Sequence, residues 1–147
     1  MPVELIRRGA GQNYPARAVK NTALEVLRLL NHEQAELSLA LVGNSEIRQL
    51  NAKYCKKNYA TDVLSFPAAE NLPGPITLLG DVVISVDKAR AQAKERGRTL
   101  KEELATLLIH GIVHLLGYDH ERSARDARVM GRLERKIYRA LCERGFL

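Results

Sequence analysis

Only two cysteines occur in 147 residues, Cys55 and Cys142, and no C-x-x-C spacing joins them. That excludes a disulfide framework and suits a reducing compartment. No uninterrupted apolar run approaches the roughly 20 residues needed to cross a bilayer, so no membrane partner is expected. The N-terminal MPVELIRRGAG lacks the apolar core of a signal peptide. We therefore expect a cytoplasmic protein. Internal repeats, low-complexity tracts and long linkers are also missing, so residues 1–147 are expected to form one domain. A chain of that size buries roughly two-thirds of the surface it exposes when unfolded, and needs no metal merely to hold together. Histidine is scarce as well. Of four in the chain, three fall within HGIVHLLGYDH, residues 110 to 120.

What is abundant is positive charge. Lys and Arg outnumber Asp and Glu by 23 to 17, a net charge of +6. Phosphate neutralisation is the general source of affinity for nucleic acid, so this balance favours an anionic partner such as RNA. The plain alternative is a solvated basic surface.

Hydrophobic periodicity predicts alternating strands and helices. VELIRR and ELSLALVG read as strands, the second with Leu37, Leu39 and Leu41 on one side. In YPARAVKNTALEVLRLLNH, Pro15 stands at an expected first helical position and Val19, Leu24, Val26, Leu27 and Leu30 form an inner stripe. NSEIRQLNAKY reads as a helix capped by Asn44 or Ser45. TDVLSFP is a strand stopped by Pro67, and Asn71, Pro73, Gly74 and Pro75 mark turns. ITLLGDVVISV is a central strand, and DKARAQAKERG a helix ended by Gly97. TLKEELATLLIHGIVHLLG opens on a T-x-x-E capping box, Thr99 and Glu102, and closes at Gly117. The last helix is capped by Ser123 and buries Met130, Leu133, Ile137 and Leu141. The expected fold is α+β: a small mixed sheet of about four strands packed with about five helices, the histidines on the helix before the last.

Residues four apart on a helix share a face, so His110 and His114 can converge on one ion. On a straight helix residue 120 would lie roughly 240° around from His114. Gly117 breaks the helix and lets His120 return to the same ion. Three imidazoles leave a fourth position open, the pattern of catalytic zinc, where bound water has its pKa lowered to about 7. Zn²⁺ suits such a site, though Ni²⁺, Co²⁺ and Cu²⁺ also bind imidazole. Two imidazoles buried on one face without a shared partner would cost several kcal/mol. His32, by contrast, reads as a hydrogen-bonded core residue. Asp119 has two readings, as acceptor for the second ring nitrogen of a ligand histidine or as cap of the following turn. Tyr118 reads as packing or a loop anchor.

H-x-x-x-H-x-x-G-x-x-H has the ligand spacing of the metzincin zinc peptidases, but the glutamate that serves those as general base is Gly111 here. A closer resemblance covers most of the chain. TDVLSFP (61–67), LGDVVIS (79–85) and HGIVHLLGYDH (110–120), in that order, resemble the bacterial YbeY family of ribosomal-RNA maturation endoribonucleases, and Met130 and Glu134 fit its pattern. The resemblance implies one zinc ion per chain on His110, His114 and His120. It also implies a metal-dependent endonuclease acting on single-stranded RNA. Its expected substrate is the small-subunit ribosomal-RNA precursor, matured at the 3′ end, with a part in ribosome quality control and partners on the ribosome.

One position departs from that family. The arginine expected shortly before TDVLSFP is Cys55, in KYCKKNYA. Cysteine offers no cationic fork to phosphate. Lys56 and Lys57 adjoin it as candidate substrate-binding charges, or are plain solvated loop lysines. Two other readings stay open. One is a metal-containing ribosome-assembly or RNA-binding factor with little turnover, and the other a metallopeptidase, which Gly111 disfavours.

Overall fold

The computed structural model describes residues 3–68, 78–119 and 121–147. Four strands, β1 (Val3–Arg7), β2 (Glu36–Val42), β3 (Val63–Pro67) and β4 (Leu78–Ser85), form one sheet in the order β1-β2-β4-β3. β1, β2 and β4 run parallel, and β3 pairs antiparallel with β4 at the edge. Five α-helices accompany them: α1 (Ala16–Leu29), α2 (Asn44–Cys55), α3 (Val86–Arg96), α4 (Leu100–Leu115) and α5 (Ala124–Glu143). The α+β class, the mixed four-stranded sheet and the five helices are as the sequence predicts. A 3-10 turn over Gly9–Asn13 was not expected. The turn residues Asn71, Pro73, Gly74 and Pro75 lie outside the described residues.

The alternation in β2 sorts the sheet's two faces. Leu37, Leu39 and Leu41 enter the main core with Val26, Leu27, Ile84, Ile112 and Met130. Val42 and Val83 point the other way, onto Ile47 of α2. Burying a leucine fully is worth about 2 kcal/mol, so these two layers hold the sheet's orientation against a one-residue slip.

α4 is the central element. Leu104, Leu107, Leu108, Ile109, Ile112 and Val113 are all buried, because the sheet and the helices α1, α3 and α5 surround it. Its capping box is present in full. The Thr99 hydroxyl accepts from the Glu102 N–H at 3.1 Å, and the Glu102 carboxylate accepts from the Thr99 N–H at 2.8 Å. α3 begins on the Ser85 side chain and ends at Gly97 in the left-handed region, and α5 begins on Ser123.

Three local expectations need correction. Pro15 is the N-cap of α1 and not its first residue, a shift of one position. Neither Asn44 nor Ser45 caps α2: Gly43 is the N-cap, and the Asn44 N–H donates to the Asp87 carboxylate at 2.9 Å. That cap comes from α3, 43 residues along the chain, so no local pattern encodes it. His32 is half-buried in the turn after α1 and is not a core residue.

Candidate functional site

α4 ends where the sequence places its end. Leu116 is the C-cap, and Gly117 follows at φ +100°, backbone that L side chains rarely adopt. His110 and His114 occupy the last turns before this stop. Their rings lie nearly parallel, 13° apart in plane, with centroids 6.3 Å apart. Spacing alone predicts this shared face.

What spacing does not predict is how each ring is held. His114 Nδ1 donates to the Tyr118 carbonyl at 2.8 Å, after the glycine bend. A carbonyl only accepts, so Nδ1 carries the proton of this hydrogen bond. Tyr118 thus acts as an anchor through its main chain, while its side chain is exposed. His110 Nδ1 meets the Glu134 carboxylate of α5 at 2.9 Å. That hydrogen bond, aided by the charges of Glu134 and Asp62, holds the His110 pKa above the usual range for imidazole against the opposing effect of its partial burial. Glu134 therefore orients the His110 ring from across the fold. Asp119 accepts from the Glu121 N–H at 2.9 Å and so caps the turn that follows the helix.

Two imidazoles, each tethered at Nδ1, suit a divalent cation at Nε2. His120 lies outside the described residues, and among the described residues no three His, Cys, Asp or Glu side chains are gathered as a metal site. The donor chemistry of the pair fits zinc.

β3 supports the site from below. The Ser65 hydroxyl donates to the Gly111 carbonyl at 3.0 Å, tying the edge strand to α4. Gly111 is buried there. A Cβ on it would stand 2.7 Å from Val82 Cγ1 and 3.3 Å from Ser65 Oγ. The close seating of the helix on the sheet depends on position 111 having no side chain, and any larger residue there would have to displace Val82. Asp62, just before β3, accepts from the Val63 N–H and from Gln92. Asp62 and Ser65 were missed as individual residues. Their signal lies within TDVLSFP, whose pattern does not single out either residue.

Cys55 is exposed at the end of α2. Lys56 follows as its C-cap in the left-handed region at φ +57°, and Lys57 is exposed beside it. Both lysines lie on the loop that leads to Asp62 and β3. Arg48, two turns earlier on α2, donates to Asn58 of that loop at 3.0 Å.

The structure is a small α+β domain that carries paired, tethered imidazoles at the exposed end of its central helix. The comparisons with known proteins narrow this. The family model for "Endoribonuclease YbeY" matches residues 9–142, and the chain belongs to that family. Among curated relatives, the Endoribonuclease YbeY of Sulfurihydrogenibium sp. is 47% identical over 85% of this chain and 83% of its own length. That of Myxococcus xanthus is 49% identical over 97% of this chain, which spans about half, 47%, of that longer protein. That of Anaeromyxobacter dehalogenans is 51% identical over 85% of this chain and 64% of its length. In three dimensions, the solution structure of TM1509 from Thermotoga maritima is similar with a TM-score of 0.64. It is 25% identical, over 92% of this chain and 86% of that one.

Proposed function

We propose that this chain is a zinc-dependent endoribonuclease that cuts single-stranded RNA, in the cytoplasm, at the 3′ end of the small-subunit ribosomal-RNA precursor, with a part in ribosome quality control. Family membership supports the nuclease class, since the relatives carry that activity in their names. The observation that carries the site is the double tether, Glu134 on His110 and the Tyr118 carbonyl on His114, which fixes both rings through Nδ1. His110, His114 and His120 would hold the ion. Zinc bound there would supply a Lewis acid for the scissile phosphate and lower the pKa of water. The chain's own groups do the rest. Glu134 holds the proton on His110 Nδ1, and the Gly117 bend carries the backbone toward position 120. Ser65 and Gly111 pin the helix to the edge strand, and Lys56 and Lys57 offer charge to the RNA backbone.

The exposed Cys55, where an arginine is expected, favours one second reading: an RNA-binding ribosome-assembly factor with little turnover. The experiment is to incubate zinc-loaded protein with single-stranded precursor RNA beside a His114→Ala variant and a chelator-treated sample. Cleavage by the wild-type preparation alone supports the nuclease. Equal cleavage by all three means contamination and overturns it. Binding without cleavage in every sample moves the assignment to the assembly factor. Peptidase activity is not proposed, because Gly111 is packed against Val82.

A further inference from the structure

The positive charge of this chain is not spread evenly. In α5, Arg125, Arg128, Arg132, Arg135 and Arg139 recur at steps of three, four, three and four residues, and Lys136 flanks them. That rhythm puts all six on one face of the helix. It spans roughly 21 Å at 1.5 Å per residue. All six are exposed, and among the described residues no ion pair engages any of them. The opposite face carries Met130, Ile137 and Leu141 into the core, so the orientation is set by packing. Six cations equal the whole net charge of the chain; without them acids and bases balance.

Such a face works against the folded helix. Like charges at i, i+3 and i, i+4 repel, and Arg125 and Arg128 stand near the positive end of the helix dipole. A surface needing only solubility would be served by mixed charge. The face also borders a cleft that reaches Glu134. Arg135 and Arg139 line a cleft of about 470 Å³ between α4 and α5, with Arg98, Thr106 and Tyr138 on its walls and Glu134 at one side. Glu134 is the carboxylate that holds His110.

We propose that this arginine face is a second RNA-contact surface, which tracks the phosphate backbone of the substrate strand beyond the histidines. The inference rests on the nuclease reading for the identity of the polyanion. Guanidinium groups on a rigid helix bind phosphate without regard to base, so the surface supplies affinity and direction and not sequence choice.

The test is equilibrium binding of a short single-stranded RNA to the full chain across a salt series, by fluorescence anisotropy. The proteins are wild type, a variant with Arg128, Arg132, Arg135 and Arg139 changed to Gln, and one with the same four changed to Lys. At about 0.7 per phosphate contact, the slope of log affinity against log salt should be shallower by about three in the glutamine variant. The lysine variant should keep the wild-type slope, and circular dichroism should show the same helix content in all. An unchanged slope in the glutamine variant overturns the proposal, as does an equal loss in the lysine variant. So does anionic-lipid vesicle binding that depends on the four arginines while RNA binding does not. The nuclease reading fails separately: wild-type protein that binds RNA with the steep slope but never cuts it removes that reading and leaves this surface standing.

Discussion

Glu134 and His110 meet at 2.9 Å across 24 residues of sequence, joining the last helix to the end of the central one. Their contact makes the site depend on how α5 packs as well as on the local spacing of histidines. Replacing Glu134 with Gln keeps the shape and removes the charge. In metal-free protein the His110 pKa, raised by that carboxylate, should fall in Glu134→Gln when followed by NMR titration of the imidazole. Zinc affinity, measured by competition with a chelating dye, should drop by about 10- to 100-fold, the usual effect of losing a group that orients a ligand histidine. An unchanged titration would show that the carboxylate does not govern the ring.

Position 111 tests the seat of α4 on the sheet. Gly111→Ala places a Cβ 2.7 Å from a Val82 methyl, which must move. Overpacking of this kind costs about 1–3 kcal/mol. Urea unfolding should show a lower midpoint with the same slope, and Gly111→Glu should lose more, because a carboxylate would be forced into the core.

Glu103 is fully buried on α4 and bonded to Arg96 at 2.6 Å, with Arg98 at 3.5 Å. This pair fastens the end of α3 to the start of α4. Glu103→Ala leaves both guanidiniums without their carboxylate. The half-exposed Arg96 regains water, so the loss should be about 1–3 kcal/mol in chemical denaturation. No loss would mean that the pair's desolvation cost already cancels its attraction.

Glu25 provides a pH signature. The Arg28 hydrogen bond, with the charges of Arg28 and Arg144, lowers its pKa in the folded chain against burial. The unfolded chain then takes up the proton first as pH falls. The stability from Glu25 is present above the unfolded pKa and is lost as pH drops through the lower folded one. Glu25→Gln should destabilise by up to about 1 kcal/mol at neutral pH, with both arginines partly solvated. The gap in thermal midpoint between wild type and variant should close in acid. A gap independent of pH would assign the effect to packing.

Much of the fold was legible because its signals are local. Thr99 and Glu102 are three residues apart and close one turn of helix, so the capping box could be read from the letters. Leu37, Leu39 and Leu41 alternate with the pleat, and Gly97 and Gly117 supply positive φ. His110 and His114 share a face because a helix repeats every 3.6 residues. These features depend only on backbone geometry within a few residues, and the sequence alone determined them. It also carried three motif blocks in order, enough to place the chain in its family.

Other features join residues that the chain does not bring near one another. Asp87 caps α2 from α3, Glu134 reaches His110 from α5, and Glu103, not its neighbour Glu102, is the carboxylate taken into the interior. Gly111 read from sequence as a missing base; packing shows it as the contact point between α4 and β4. Such choices belong to tertiary structure alone, because a buried polar group must find its partner wherever the packed core happens to present one.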